Sequence, residues 1–365
     1  MMYEPSNIIM ILEILQKNGG FFFYNPINKR GVVGCKSELP EELGVTTLNE
    51  SEISFFAIPF FSDINKKGEG LWNTMKMGEI TFPYCYSILF SVGTQKKTTP
   101  TYVNVVDDYE KWCDLFDIIM SNIKAREVEK VVASRQVEIL FDKDINLASC
   151  VLNLLKNNPQ SYVFAYIYGG KAFIGATPEI LVEKCGSRIQ SYAVAGTFPK
   201  CENNEKRGKE LLNDIKNNHE HKIVIEEIVS TMRTVTNKVS IGMTELMELK
   251  NLFHLKTSIV ATDGQKNLIE WVRLLHPTPA MGGKPRKKAL KLIEKYEQHD
   301  RGLFAAPIGI VEKNGDGIFV VGIRSALIDG NKIYAYAGCG IVEQSDCREE
   351  YEETNTKLRT ILEAL

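Results

Sequence analysis

Apolar positions along the chain change their spacing in blocks, and each block predicts an element. Residues 7–15 are apolar at helical spacing, are interrupted by Glu13 and end at Gly19-Gly20. This predicts a glycine-stopped amphipathic helix, not a signal peptide or a membrane span. From 21 to 100, short apolar or aromatic runs (21–23, 54–61, 86–92) alternate with Gly, Pro, Asn and Asp, the pattern of strands and turns. Helical spacing returns over 109–125, and 130–140 is a β-branched strand on which Lys130, Val132 and Ser134 share one face. Further strands are predicted at 162–168, 172–176 and 191–194, and a long helix over 204–235. Near the end, a helix over 286–298 precedes strands that flank turn signals at Asn314-Gly315-Asp316-Gly317 and Asp329-Gly330, and a last helix starts near Cys347. Hairpin-linked strands with helices gathered outside them predict an α+β fold and exclude a parallel βαβ sheet.

A chain of 365 residues with 44% hydrophobic positions can bury a large core. No long Pro/Ser/Gly linker, charge block or repeat divides it after residue 100, so 1–365 is read as one domain, with 1–100 the less recognisable part and 101–365 the catalytic region. A formal net charge of -2 gives no general attraction for nucleic acid or an anionic membrane, so any anion must be met by a local site. The eight cysteines lack CxxC or Cys/His spacing, which argues against a zinc site and suits reduced thiols in a cytoplasm.

Chemistry concentrates where HPTPAMGGKP, RGLFAAPIG, GIRSA, YAGCGIV and EEYEETNTK follow one another between His276 and Lys357. With KVVASR from Lys130 and FIGATPEIL around Glu179, this run resembles the chorismate-utilising enzymes, the family of isochorismate, anthranilate, salicylate and aminodeoxychorismate synthases, over roughly two thirds of the chain. The resemblance implies two large antiparallel β-sheets packed as a sandwich with helices on the outer faces, as in aminodeoxychorismate synthase.

It also implies roles. Lys130 matches the general base that activates water, and Glu179 the general acid that protonates a departing C4 hydroxyl; those tasks need a neutral amine and a raised carboxyl pKa. Without the motif, Lys130 would be a strand-end lysine paired with Glu129, and Glu179 a solvated turn residue. Glu220 in NDIKNNHEH and Glu353 match direct Mg²⁺ ligands, and Glu350 a water-mediated one. Their spacing alone fits i,i+4 ion pairs, Lys216 with Glu220 and Glu353 with Lys357. Arg324, Lys357 and the Gly338-Cys339-Gly340 turn match the groups that hold the substrate's enolpyruvyl carboxylate, with Cys339 in place of the usual alanine.

His276 in HPTPA matches the isochorismate-forming branch and either contacts substrate or orients its loop, while Gly282-Gly283 would permit close backbone approach to a ligand. In AVAGT, Ala195, Gly196 and Thr197 line the pocket, and alanine at 195, where aminodeoxychorismate synthases place a lysine, leaves water as nucleophile. His254 and Thr257 in HLKTS match another pocket segment, Arg301 is expected to pair with Glu297, and Ala305-Ala306 replaces a Gly-containing loop. The expected activity is therefore a Mg²⁺-dependent isomerisation of chorismate to isochorismate, for menaquinone or a siderophore, with no obligatory protein partner. A pyruvate-releasing lyase of salicylate or anthranilate type and a non-catalytic homologue are the alternatives, and no Leu-Leu-Glu-Ser-type tryptophan-binding segment stands near the N-terminus to favour the anthranilate branch.

Overall fold

The computed structural model describes residues 5–43, 45–48, 52–61, 71–72, 74–89, 104–105, 108–200 and 204–365. Its frame is two antiparallel sheets. The larger has eleven strands, ordered Gly283–Lys284, Lys130–Leu140, Lys332–Ile341, Ser325–Asp329, Lys171–Thr177, Tyr162–Tyr168, Gly20–Asn25, Arg30–Cys35, Tyr84–Leu89 and Thr46–Leu48, with Asn104–Val105 paired to the Lys130 strand off this path. The smaller has eight, ordered Val239–Glu248, Leu252–Thr262, Arg188–Pro199, Ile180–Cys185, Gly317–Val321, Pro307–Glu312, Ile53–Ala57 and Gly78–Ile80. The expected α+β sandwich is what the chain forms.

Period-2 alternation decides which side chains enter which layer. In Gly20–Asn25, Phe21 and Phe23 join the core shared with the second sheet, packing with Phe55, Phe173 and Phe319, while Phe22 points the other way. There it meets a helical layer made by Pro5–Asn18, Leu147–Asn157 and the C-terminal helix Cys347–Leu362, through Leu12, Leu15, Val151, Leu155, Leu358 and Ile361. Ile215–Arg233 and Leu268–Leu275 cover the smaller sheet. Among the described residues no helix is long and apolar enough to cross a membrane.

Two predicted elements change. The helix expected over 204–235 is two helices, Asn204–Asn213 and Ile215–Arg233, because Asp214 leaves helical geometry and accepts the Asn217 N–H at 2.8 Å as an N-cap. The strand expected at 191–194 extends over Arg188–Pro199 and carries a bulge between Ala195 and Thr197. Its neighbour Leu252–Thr262 forms, with the edge strand Val239–Glu248, a hairpin that the apolar pattern did not announce. Residues 90–92 of the expected 86–92 strand lie outside the described residues.

Candidate active site

Between the sheets' ends lies a cavity of about 60 Å³ whose wall includes Glu179, Ala195, Gly196, Thr197, Glu220, Arg324, Gly338, Cys339, Gly340, Glu353 and Lys357. Six separate elements or turns bring these residues together. The bulge turns Gly196 into the left-handed region, φ +78°, where a side chain would be strained and would press on Asn217. Its N–H then donates to Glu220 Oε2 at 3.2 Å, and the next N–H, of Thr197, donates to Asn217 Oδ1 at 2.8 Å.

The strand Lys332–Ile341 pairs with Ser325–Asp329 only as far as Tyr336, while its other edge follows Lys130–Leu140 to Ile341. One edge of residues 337–341 is therefore left for the cavity, and the Gly338 carbonyl accepts from Lys357 Nζ at 2.8 Å. Gly340 is bare for a packing reason: a Cβ there would overlap Glu220 Oε1 and Lys130 Cε.

Three lysine–glutamate pairs organise the charge. Lys130 Nζ stands 2.8 Å from Glu220 Oε1, Lys357 Nζ 2.6 Å from Glu353 Oε1, and Lys216 Nζ 2.6 Å from Glu350 Oε1. Lys130 is fully buried, and its ammonium has this charge partner but no well-aligned hydrogen-bond acceptor among the described residues. Burial would raise the Glu220 carboxyl, but Lys130, then Lys357 and Lys216, overcome it and hold the group below its usual value. Glu350 is raised, by burial first and by Glu353 next, against the pull of Lys216.

Glu179 behaves differently, because among the described residues no lysine pairs with it directly. Burial pushes its carboxyl up to about 8 despite the fields of Lys130, Lys357 and Arg324, so it holds a proton at neutral pH. Arg324, buried at φ +51°, donates from Nη2 to His254 Nε2 at 2.9 Å. A guanidinium only donates, so Nε2 accepts and the His254 proton is on Nδ1, shared with Thr197 Oγ1 at 3.0 Å and the Gly196 carbonyl at 3.3 Å. Burial, Arg324 and Lys357 together keep His254 neutral.

Three expected site residues lie off the cavity wall. Lys130 sits behind Glu220 and Gly340, and Glu350 behind Glu353 with Lys216. His276 stands apart from the wall: it ends the helix Leu268–Leu275, its Nε2 meets the Phe60 carbonyl at 3.1 Å, and its ring stands edge-on to Phe60. Burial lowers it to about 3, so it is a neutral donor that orients the loop. Gly283 likewise makes its close approach to the Lys130 carbonyl rather than to the cavity.

The simple pairings of neighbours in sequence fare unevenly. Glu353–Lys357 forms, but Lys216 crosses to Glu350 instead of Glu220, and Glu129 pairs with Lys284 while Lys130 turns inward. Arg301 does pair with Glu297, and also donates to the carbonyls of Met281 and Val132 at 2.8 Å each. Thr257 is buried behind the wall, against His221 Nε2 at 2.8 Å. Lys216 and the apolar wall of Met281, Phe304 and Tyr336 were not singled out from the sequence, since helical spacing suggested another partner for the lysine and nothing marked the others apart from core residues.

Comparison with known proteins converges on one family. The model of the chorismate binding enzymes matches residues 87–365. The chain is 38% identical over 263 residues to isochorismate synthase MenF of Bacillus subtilis, covering 71% of this chain and 56% of the relative, and 30% identical over 367 residues to isochorismate synthase EntC of Escherichia coli K12, covering 94% and 93%. The first relatives, including those of Vibrio cholerae and Pseudomonas aeruginosa, are spanned over 52–62% of their length. Among solved structures, DhbC of Bacillus anthracis superposes with a TM-score of 0.82 at 26% identity, covering 98% of this chain and 99% of that one. MenF of Escherichia coli, at 0.81 and 21% identity over 97% and 91%, shares the fold.

Proposed function

Because the chain belongs to the chorismate binding enzymes, we propose that it is an isochorismate synthase, an isomerase that adds water at C2 of chorismate and releases the C4 hydroxyl. The observation that carries this reading is one carboxyl held protonated at neutral pH, Glu179, on the wall of one cavity with Arg324 and Lys357, and one buried lysine, Lys130, directly behind that wall. Lys130, in its neutral amine form, takes a proton from water as its oxygen bonds to C2. The ring double bond shifts, the C4–O bond breaks, and Glu179 gives its proton to the departing oxygen, so one water enters and one leaves. Arg324, fixed by His254, and Lys357 meet substrate carboxylate, with Gly338, Cys339, Gly340, Ala195, Gly196 and Thr197 shaping the wall.

The donor set at the site fits magnesium, because Glu220, Glu353 and, through water, Glu350 offer hard carboxylate oxygens. Among the described residues no group of three or more His, Cys, Asp or Glu is disposed to hold a metal, and each of these carboxylates is paired with a lysine that metal binding would have to displace. Bound there, Mg²⁺ would draw charge from the ring carboxylate and ease loss of the C4 oxygen.

The reading takes residues 1–365 as a single cytoplasmic chorismate-binding domain, its product feeding menaquinone or a catechol siderophore. Water as nucleophile leaves no need for an amidotransferase partner. The test is incubation with chorismate and Mg²⁺, with and without ammonium, resolving products by chromatography. Isochorismate without pyruvate is expected; pyruvate with salicylate or anthranilate would move the chain to a lyase branch.

A further inference from the structure

We propose that Cys113 and Cys347 form a reversible thiol–disulfide site that ties the C-terminal helix to the helix Tyr109–Lys124. Their sulfurs stand 3.3 Å apart across 234 residues of sequence, and both are partly exposed, whereas Cys35, Cys85, Cys150 and Cys339 are buried. The contact is held on both sides rather than brushed at a surface. Trp112 Nε1 donates to the Cys347 carbonyl at 3.1 Å, Tyr109 stacks edge-on to Tyr351 at 4.9 Å, Tyr351 donates to Asp108 Oδ1 at 3.1 Å, and the Arg348 guanidinium lies 4.9 Å over the Tyr109 ring. Small side-chain rotations can bring the sulfurs from contact to the roughly 2.05 Å of a disulfide bond.

Burial and the neighbouring Cys113 sulfur push the Cys347 thiol up to about 12, so Cys347 keeps its proton at neutral pH. The oxidant is a low-molecular-weight disulfide. The Cys113 thiolate attacks one of its sulfurs and releases one small thiol, giving a mixed disulfide; Cys347 then loses its proton and attacks the Cys113 sulfur, releasing the second. The two protein thiols lose two electrons and two protons, and the small disulfide gains them. The bond closes one turn before Glu350, on the helix that also carries Glu353 and Lys357. This inference is independent of the proposed activity.

The experiment treats the whole protein with oxidised glutathione, blocks remaining thiols, and maps peptides without reduction. The expected result is a peptide pair joined through Cys113 and Cys347, and a thermal midpoint several degrees higher that returns to its starting value with dithiothreitol. In C113S and C347S the joined pair and the rise are absent. Both cysteines remaining free to alkylation, or each carrying its own glutathione, would overturn the proposal, and this mapping on the unmutated protein does not depend on either variant folding.

Discussion

Glu179 is the residue whose environment says most about pH. Folded, it keeps its proton up to about pH 8, whereas its ordinary value is 4.5, so between these values the folded state binds more protons than the unfolded chain. Its contribution to stability is complete below the lower value and is lost as pH rises through about 8. Glu179→Gln should flatten that loss, read as urea midpoints on either side of the window. If Glu179 has the proposed role of general acid, the same substitution should cut turnover by about 10²–10⁴, and Lys130→Ala by a similar factor, with circular dichroism unchanged. A near-unmutated rate in either variant would remove that residue from the mechanism. Motifs located these two residues and Arg324 because their roles depend on where the backbone places them. They left His276 open between a substrate contact and a loop role, because its ring meets Phe60, 216 positions earlier. The partner of Lys130 was equally illegible, for Glu220 arrives on a helix 90 residues away, and spacing along one element carries no record of what another brings to it.

At the scale of elements, periodicity recovered those with one clear buried face. Lys130–Leu140 has the bounds read from its alternation, and the helices Tyr109–Lys124 and Arg286–Tyr296 fall within two residues of theirs. The strand Val239–Glu248 escaped because it is a largely exposed sheet edge with little apolar contrast, and the break at Asp214 escaped because one capping side chain outweighs apolar spacing that continues on both sides. Where elements are joined by buried charge, the cost of a change is larger. Arg301, 1% exposed, links the strand carbonyl of Val132, the loop carbonyl of Met281 and the carboxylate of Glu297. Arg301→Met keeps the apolar stem but strands a buried anion, so chemical denaturation should show a loss of about 3–5 kcal/mol. A loss under about 1 kcal/mol would mean that the link carries little of the fold.

Across the whole molecule, the part least legible in sequence is woven into both sheets. Gly20–Asn25 pairs with Tyr162–Tyr168, Ile53–Ala57 pairs with Pro307–Glu312, and Trp72 packs on Phe173 and Tyr336. A chain of residues 108–365 would bare two buried strand edges, and size-exclusion chromatography should find it aggregated; a soluble monomer with native circular dichroism would show the first hundred residues to be an addition. The three lysine–glutamate pairs bear on how a substrate arrives. Each pair cancels its own charge, Glu179 is neutral, and the molecule as a whole carries only -2, so among the groups described at the site Arg324 is left as a single buried cation and a dianion in solution meets no extended basic field. Encounters are then governed by diffusion and by contacts made after entry, and kcat/KM should vary by no more than about twofold with ionic strength at fixed free metal, unlike an enzyme that collects anions through a basic funnel.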